Sequence, residues 1–429
     1  MTPRSLAFEL LSKAEKSKQY SNITLDNALK SSDMNEADKR LASALFYGVT
    51  EKKISLDHRI AKLSSRPIEQ LDTAVLTALR MGIYQLVYLD RIPPHAAINE
   101  TVSLCSKKTA GYVNAILRAH TRDPEIDPPS KSDFPLYLSV VYSVCLPLAQ
   151  KLIECFGNQK AEDILSGFDR TPDTTLRTNT LKISRDELCS KIDGSFAAEN
   201  SPTGIHVKGS VRQLFGFDDG LFFVQDEASQ ICVEALDAKE GHTVLDICSC
   251  PGSKSFGAAI NMKNNGRVLS FDLHTNKLSL VASGAQRLGI DIIKTRECDG
   301  RKFLPELEGV ADRVLCDVPC SGFGVLAKKP ELRYKDPKES EALPKIQSDI
   351  LENACKYVKK GGILVYSTCT LLPEENEKNI ERFLKRHPEF SLCPWQVGSI
   401  SAPEGMLTLY PHIHKTDGFF IAKLIRKQL

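Results

Sequence analysis

Residues 244–254, VLDICSCPGSK, decide the fold of the C-terminal half of this chain. An apolar run of strand-forming residues leads into a short loop of small and polar residues, and a helical stretch follows from Lys254. Gly252 permits close backbone approach, and the free amides at a helix start favour polar or anionic groups. The stretch therefore predicts a cofactor loop at the end of a strand in a doubly wound α/β sheet.

The residues around this unit alternate between strands and helices, as such a sheet requires. Right-handed crossovers would place the carboxyl ends of the parallel strands on one side of the sheet. The predicted strands are Thr243–Ile247, Arg267–Phe271, Ile292–Arg296, Arg313–Cys316 and Ile363–Ser367, with a final hairpin from Leu407–Tyr410 and Gly418–Leu424. The predicted helices between them are Lys254–Met262, Thr275–Leu288 and Ile346–Val358.

Two carboxylates follow the second and third of these strands. Asp272 lies 20 residues beyond Gly252, the spacing at which a carboxylate accepts hydrogen bonds from ribose hydroxyls. Asp299 is placed to meet an adenine amino group. The loop matches neither G-x-G-x-x-G nor G-x-x-x-x-G-K-[ST], so a nicotinamide cofactor or a nucleoside triphosphate is disfavoured. An adenosine cofactor without phosphates is the prediction, although many α/β folds carry an acid after the second strand.

Two cysteines follow two further strands. Cys320 lies in 317–322, DVPCSG, and Cys369 lies in 361–376, GGILVYSTCTLLPEEN. Because ligands bind beyond the carboxyl ends of such strands, both thiols could face one substrate. A thiolate that adds to carbon 6 of cytosine makes carbon 5 nucleophilic towards a methyl group, and a base must then remove the carbon 5 proton. The candidates for this chemistry are Cys369, Cys320 and Asp317, in that order.

Eight other cysteines are expected to be core or neutral thiols: Cys105, Cys145, Cys155, Cys189, Cys232, Cys316, Cys355 and Cys393. The chain has 13 cysteines and no apolar export signal, so reduced thiols and a cytoplasmic location are expected. Zinc is disfavoured, because Cys248-x-Cys250 and His412-x-His414 lack a paired ligand set at zinc-like spacing.

Length and composition indicate a multidomain globular protein. The chain has 429 residues, 42% hydrophobic and 26% charged, and no run approaches the length of a membrane span. Apolar residues recur at helical spacing through the first part, with Asp38–Lys53 among the clearest helices. The predicted parts are an all-α bundle at 1–122, an extended linker at 123–136, a small α+β module at 137–220 and an α/β domain at 221–429.

These motifs resemble a known family. The RNA 5-methylcytosine methyltransferases have motifs that resemble four stretches of this chain: 317–322, 367–370, 374–376 and the loop from Cys248 to Lys254. Residues 223–230, FVQDEASQ, match a segment that precedes the fold in that family, and 113–118, VNAILR, resemble the end of a NusB-like helical domain. The order of these parts is similar to that of the family members that modify small-subunit ribosomal RNA. The resemblance covers nearly the whole chain.

The resemblance implies a Rossmann-like class I methyltransferase fold with S-adenosyl-L-methionine as methyl donor. It implies that Cys369 is the nucleophile, that Cys320 assists product release, and that the substrate is one cytosine of small-subunit (16S) ribosomal RNA. The family loop usually has the pattern C-A-x-P-G-G-K. Ser253 stands in place of the second glycine, and Cys250 stands at the variable position, where a small residue is usual. The implied cofactor-binding residues are Cys248, Ser249, Cys250, Pro251, Gly252, Ser253, Lys254, Asp272, Asp299 and Asp317.

A net charge of +2 means that any RNA-binding surface must be local. The candidates are Arg177 in the module and the cationic run after Cys320, which contains Lys328, Lys329, Arg333, Lys335 and Lys338 with Tyr334 as a stacking residue. Nearby acids leave a plain solvated loop as the alternative. Three further alternatives stay open: a transfer RNA substrate, a non-catalytic RNA-binding factor, and attack by Cys320 instead of Cys369, as in DNA cytosine methyltransferases.

Overall fold

The computed structural model describes residues 1–17, 22–170, 173–209 and 211–428. The description leaves out residues 18–21, 171–172, 210 and 429. These residues fall within the predicted parts 1–122, 137–220 and 221–429. The described chain divides into two compact units. The helical unit contains Met1–Leu165 and Lys329–Asp336, and the sheet unit contains Ser166–Lys328 and Pro337–Leu429. The domain boundaries drawn from the sequence stay predictions.

In the helical unit, the amphipathic helices between residues 3 and 122 bury their apolar faces in one core. The predicted helix Asp38–Lys53 begins earlier, at Glu36, because the Asn35 side chain caps it by accepting a hydrogen bond from the Asp38 amide. The helices are α1 (Pro3–Ser17), α2 (Asn22–Lys30), α3 (Glu36–Glu51), α4 (Lys53–Leu63), α5 (Thr73–Tyr88), α6 (Pro94–Ser103), α7 (Ala110–Arg122), α8 (Phe134–Val141), α9 (Leu146–Phe156) and α10 (Asn158–Gly167). In the described ranges no single helix could cross a membrane, although the bent pair α8 and α9 together reaches the length and composition.

Residues 329–336 belong to the helical unit, and two of them correct the prediction of RNA contacts in the cationic run. Arg333 is fully buried and donates to the Tyr142 carbonyl over 2.7 Å. The Tyr334 hydroxyl donates to the Thr50 carbonyl over 2.6 Å and accepts from the Lys53 amide over 3.1 Å. Arg333 and Tyr334 therefore satisfy backbone groups of the fold, and their assignment as RNA contacts was wrong.

The α+β module is a four-stranded antiparallel sheet in the order β2-β3-β1-β4 with one helix. Its elements are β1 (Thr174–Thr178), α11 (Arg185–Lys191), β2 (Phe196–Ala197), β3 (Gly204–Val207) and β4 (Phe222–Val224). Arg177 on β1 is fully buried, where it forms an ion pair with Glu234 over 2.5 Å and donates to Asn261 over 2.8 Å. The prediction that Arg177 contacts RNA is therefore also wrong.

The large sheet carries apolar cores on both faces and has the strand order β10-β14-β9-β8-β5-β6-β7, with β13 beside β14. Strands β9, β8, β5, β6 and β7 are parallel, and β14 pairs antiparallel with β9. The predicted fold class, a helical bundle with an α+β module and a Rossmann-like sheet, is confirmed. The remaining elements are α12 (Glu227–Leu236), β5 (Thr243–Asp246), α13 (Ser253–Asn261), β6 (Arg267–Asp272), α14 (Thr275–Leu288), β7 (Ile293–Glu297), β8 (Ala311–Asp317), α15 (Leu343–Tyr357), β9 (Val358–Thr368), α16 (Glu377–Arg386), β10 (Phe390–Leu392), β11 (Trp395–Val397), β12 (Ile400–Ala402), β13 (Met406–Leu409), α17 (Pro411–His414) and β14 (Phe419–Arg426).

Strand β9 is longer than predicted. It begins at Val358 rather than Ile363, so the double glycine at 361–362 lies inside the strand. The pairing register with β8 shifts there, between Ala311 and Arg313, which lets the two strands realign. The predicted hairpin is present, with β13 paired antiparallel to β14.

Candidate active site

The candidate site lies at the carboxyl ends of the parallel strands of the sheet unit. Asp246, Asp272 and Asp317 are the last residues of β5, β6 and β8, and Cys369 directly follows β9. Asp299 comes two residues after β7. Parallel pairing of these strands therefore brings four carboxylates and a thiol to one edge of the sheet.

The loop from Cys248 to Lys254 adopts a conformation that depends on Gly252. This residue has φ +106°, a left-handed value, and a Cβ there would come within 2.6 Å of the Phe256 ring. Ser253 is the first residue of α13, so its backbone is right-handed and a serine side chain is tolerated. The Cys250 amide donates to Asp272 Oδ2 over 3.3 Å, which ties the loop to the end of β6.

Asp246 lies beneath this loop and is 1% exposed. Its Oδ2 accepts a hydrogen bond from the Ser255 hydroxyl over 2.6 Å. Its other oxygen has no hydrogen-bond partner in the part of the chain that the structure describes. Burial raises the pKa of Asp246 to about 7. The loop therefore has an orphaned buried oxygen below it, which is suited to a ligand that brings a hydrogen-bond donor.

Asp299 is engaged by a local partner. The Arg301 side chain donates to both carboxylate oxygens of Asp299, at 2.8 to 3.2 Å. These hydrogen bonds lower the pKa of Asp299, so it is ionised at neutral pH. The Arg301 amide also donates to Asp299 Oδ1 over 3.0 Å. Three N–H groups of Arg301 thus use three of the roughly four acceptor sites of the carboxylate, and one site on Oδ2 is left for a ligand amino group.

Lys254 and Asp317 form an ion pair between the cofactor loop and the cysteines. Lys254 Nζ lies 2.6 Å from Asp317 Oδ2, and the Ser367 hydroxyl donates to Asp317 Oδ1 over 2.8 Å. Although burial favours the neutral amine, the Asp317 carboxylate raises the pKa of Lys254. A charged ammonium and a fixed carboxylate thus stand beside each other, a pairing that can donate to and accept from one polar molecule.

The structure brings the two candidate cysteines together. The Cys320 and Cys369 sulfur atoms are 3.2 Å apart and hydrogen-bonded. This hydrogen bond and burial raise the pKa of the Cys320 thiol well above its ordinary value. Cys320 is therefore held as a neutral thiol beside Cys369. Cys232, Cys316 and Cys355 are buried, as expected for core thiols.

Side chains that the sequence did not single out as site residues hold the two cysteine loops in register. The Glu375 carboxylate, 1% exposed, accepts from the Ser321 amide over 3.0 Å and from Gln347 Nε2 over 2.7 Å. The hydroxyls of Ser321 and Thr370 are 2.7 Å apart. Asn376 accepts from the Thr368 hydroxyl over 2.6 Å and donates to the Thr370 carbonyl over 2.9 Å. Glu375 and Asn376 lie in the segment 374–376 that carried part of the family resemblance, and these contacts make them supports of the Cys369 loop.

A close backbone contact also fixes the Cys369 loop. The Gly324 amide donates to the Cys369 carbonyl over 2.9 Å, and the Gly418 amide donates to the Gly324 carbonyl over 2.7 Å. A Cβ at Gly324 would lie 1.9 Å from the Gly418 carbonyl oxygen. Position 324 therefore requires glycine. The glycine-containing run after Cys320 was the only sequence signal for it.

The side chain of Lys328, a predicted RNA contact, is paired with carboxylates of the protein itself. Its ammonium forms ion pairs with Asp226 and, over 2.9 Å, with Asp417. Burial of the Asp417 carboxylate and the nearby Asp226 charge raise the pKa of Asp417 to about 7. The assignment of Lys328 as a free cation for RNA is wrong. In the described ranges no group of three or more His, Cys, Asp or Glu residues could hold a metal ion.

Comparison with known proteins identifies the family of the chain. Residues 233–425 match the family model for the 16S rRNA methyltransferase RsmB/F, and residues 1–122 match that of the NusB family. A relative from Bacillus subtilis (strain 168), named probable ribosomal RNA small subunit methyltransferase B, is 36% identical over 99% of this chain and 98% of its own length.

Two solved structures are also similar. The crystal structure of PH0851 has a TM-score of 0.79 and 29% identity, with 99% of each chain covered. The structure of NSun6 from Pyrococcus horikoshii with SFG has a TM-score of 0.58 and 25% identity, and covers 65% of this chain and 97% of its own. The likeness to the Bacillus subtilis relative extends over the full chain and includes both the helical and the sheet parts. The chain therefore belongs to the RsmB/F family of 16S rRNA methyltransferases, with a NusB-family domain at its N-terminus.

Proposed function

We propose that this protein transfers a methyl group from S-adenosylmethionine to carbon 5 of one cytosine in small-subunit ribosomal RNA. The observation that carries the proposal is the pair of sulfur atoms 3.2 Å apart at the ends of two adjacent parallel strands. Its family membership supports methyl transfer to ribosomal RNA. The ligand SFG in the NSun6 structure is an S-adenosylmethionine analogue and supports this choice of methyl donor.

The residues around 248–254 fit S-adenosylmethionine. The cofactor supplies an electrophilic methyl group when bound. Asp272, which anchors the Cys250 amide, is placed to accept from the ribose hydroxyls, and Asp299 from the adenine amino group. The orphaned oxygen of Asp246 lies beneath the same loop and suits a hydrogen-bond donor. The proposed cofactor contacts are those predicted from the sequence: residues 248–254, Asp272, Asp299 and Asp317.

Cys369 is the proposed nucleophile. Its thiolate adds to carbon 6 of cytosine, and the electrons displaced by the new carbon–sulfur bond make carbon 5 able to accept the methyl group. Asp317 and Lys254, paired over 2.6 Å, present an acceptor and a donor, respectively, at the same edge of the sheet as Cys369. The Asp317 carboxylate could accept a hydrogen bond from the amino group of cytosine, and the Lys254 ammonium could donate one to an acceptor atom of the ring. These contacts would orient the base and stabilise charge that develops on its ring during addition.

Cys320 is the proposed residue for product release. After methyl transfer the carbon 5 proton leaves to a base, the carbon 5–carbon 6 double bond re-forms, and the Cys369 thiolate departs. Once Cys369 is bonded to carbon 6, the hydrogen bond with Cys369 that raises the pKa of Cys320 is lost, so the Cys320 thiol can release its own proton to solvent. The Cys320 thiolate is then the candidate base for the carbon 5 proton. Having gained that proton, it can donate a hydrogen bond to the departing Cys369 sulfur.

Trapping of the covalent adduct tests these roles. A Cys320→Ala enzyme, incubated with S-adenosylmethionine and a small-subunit ribosomal RNA transcript, should accumulate a protein–RNA adduct that survives denaturing electrophoresis. A Cys369→Ala enzyme should form none. An adduct that requires Cys320 and survives the loss of Cys369 would reverse the assignment. Bisulfite sequencing of ribosomal and transfer RNA from a deletion strain tests the substrate, since a mark lost only from transfer RNA would contradict the ribosomal proposal.

A further inference from the structure

A second cavity lies in the sheet unit, away from the cofactor loop. It has a volume of about 330 Å³ and separates the sheet of the α+β module from residues 414–416. Its walls include Arg170, Phe196, His206, Lys328 and Thr416. We call it the module cavity. Its volume is in the range of small-molecule and nucleotide sites.

The module cavity has an aromatic wall. Phe196 on β2 pairs directly with His206 on β3, and their rings are in contact, tilted by 33° with centroids 5.0 Å apart. The Phe196 side chain is nevertheless 47% exposed, so much of the ring faces no protein atom. An exposed ring that lines a cavity and is held by a neighbouring ring is a suitable platform for stacking a nucleobase.

The polar lining of the module cavity has both signs of charge. The Arg170 guanidinium is fixed at the rim because it donates to the carbonyls of Lys415, over 2.6 Å, and Thr416, over 3.2 Å. Glu199 and Lys415 form an ion pair over 3.6 Å. Asp173, Asp226 and Glu227 add three further carboxylates, of which Asp226 is paired with Lys328. A mixed lining does not favour a phosphate chain inside the cavity, but it suits the edge of a base, which carries both donors and acceptors.

The module cavity is connected to the cysteine loops by a short series of contacts. Lys328 in its wall pairs with Asp417 over 2.9 Å. Gly418, the next residue, donates to the Gly324 carbonyl, and the Gly324 amide donates to the carbonyl of Cys369. A polymer whose cytosine reaches Cys369 therefore passes close to this cavity.

We propose that the module cavity binds one unpaired nucleotide of the RNA substrate, near the methylated cytosine, with its base stacked on Phe196. The inference rests on the proposed function, because it assigns a second contact for the same RNA. The module would thus hold a splayed-out base, the usual means by which proteins read single-stranded RNA. Phe196 is a substrate-positioning residue and takes no part in methyl transfer itself.

The test uses the full-length protein and a small-subunit ribosomal RNA transcript. Initial rates of tritiated methyl transfer are measured for wild type, Phe196→Ala and Phe196→Trp. We expect Phe196→Ala to raise the KM for RNA by about 10-fold, within the range of base stacking on aromatic side chains. The kcat and the KM for S-adenosylmethionine should stay within about twofold, since a stacking platform remote from the thiols contributes to binding alone. Phe196→Trp should retain the wild-type KM.

Phe215→Ala is the matched control. Phe215 belongs to the same part of the chain, is 51% exposed, and does not line the module cavity. Its KM for RNA should equal that of wild type, and both alanine variants should keep the wild-type melting temperature. A Phe196→Ala variant that matches Phe215→Ala in KM would overturn the proposal.

A binding measurement separates this proposal from the proposed function. Single-stranded RNA containing 4-thiouridine is cross-linked to the wild-type protein by light, and the modified peptides are identified by mass spectrometry. Cross-links in residues 194–206 are expected. Cross-links elsewhere only would refute the module cavity as an RNA site, even if methyl transfer proceeds. Cross-links at 194–206 without methylation of any RNA would instead refute the proposed function and keep the binding site.

Discussion

Replacement of Glu375 tests whether the two cysteine loops are held together as the contacts indicate. One oxygen of this buried carboxylate accepts both the Ser321 amide and Gln347 Nε2. Hydrogen bonds to charged groups contribute about 1.5–3 kcal/mol each. Glu375→Ala removes both and leaves the buried Ser321 amide without its acceptor. We therefore expect the free energy of unfolding to fall by about 3–5 kcal/mol.

Glu375→Gln separates the geometry from the charge. A glutamine carbonyl can occupy the place of the accepting oxygen and keep both hydrogen bonds, but as neutral ones that are about half as strong. The expected loss is about 2 kcal/mol. Glu381→Ala, on an exposed position of α16, is the matched control and should change stability by less than about 0.5 kcal/mol.

Urea denaturation followed by circular dichroism gives these free energies, provided that all variants share one slope with denaturant. Methyl transfer adds a functional measurement. Because Ser321 directly follows Cys320, Glu375→Ala should slow adduct resolution more than adduct formation. A Glu375→Ala protein as stable as Glu381→Ala, or a glutamine variant less stable than the alanine variant, would show that Glu375 does not hold the loops as inferred.

Three further predictions concern other parts of the chain. Gly324→Ala should destabilise the protein by at least about 3 kcal/mol in urea denaturation and abolish methyl transfer, because the new Cβ collides with backbone; normal activity would contradict this. Arg80→Leu should cost about 3 kcal/mol, since it leaves Asp57 without a buried bidentate partner at 2.6 and 2.7 Å, and adding Asp57→Leu should restore part of the loss. Asp246 has a pKa of about 7 in the fold against 3.8 ordinarily, so its stabilising contribution is present below pH 4 and is lost as pH rises to 7. Asp246→Asn should therefore melt roughly 5 °C above wild type at pH 8 and at the same temperature near pH 4; an equal gain at both pH values would refute the raised pKa.

The sheet could be predicted from the sequence because its signals are local. Strands β5, β8 and β9 each have a short apolar run that ends in a polar residue such as Asp246 or Asp317. The crossover rule then fixes the side of the sheet on which these residues gather. The same rule predicted that Cys320 and Cys369 would face one region. Their separation of 3.2 Å depends on the register between β8 and β9, which a single sequence does not specify.

The errors concern charged and aromatic residues whose partners are distant in sequence. Arg177, Arg333 and Lys328 each have polar or charged sequence neighbours, which is the usual pattern of a solvated surface. Each instead finds an acceptor from another element, as Arg177 does at Glu234, 57 residues away. Glu375 was overlooked for the same reason. Its carboxylate accepts a hydrogen bond from the amide of Ser321, 54 residues earlier, and only the folded chain shows this contact. Burial of an ion pair is a tertiary property, so composition and spacing cannot reveal it.

The placement of residues 329–336 in the helical unit has a consequence for synthesis of the protein on the ribosome. Nascent chains generally fold from the N-terminus, one domain at a time. Here the buried site for Arg333 and Tyr334 stays unfilled until residues far down the chain have been translated. The N-terminal unit is thus completed only after β5, β6, β7 and β8 have been made. The helical unit is therefore translated first but completed late. While it emerges from the ribosome, it still lacks residues 329–336.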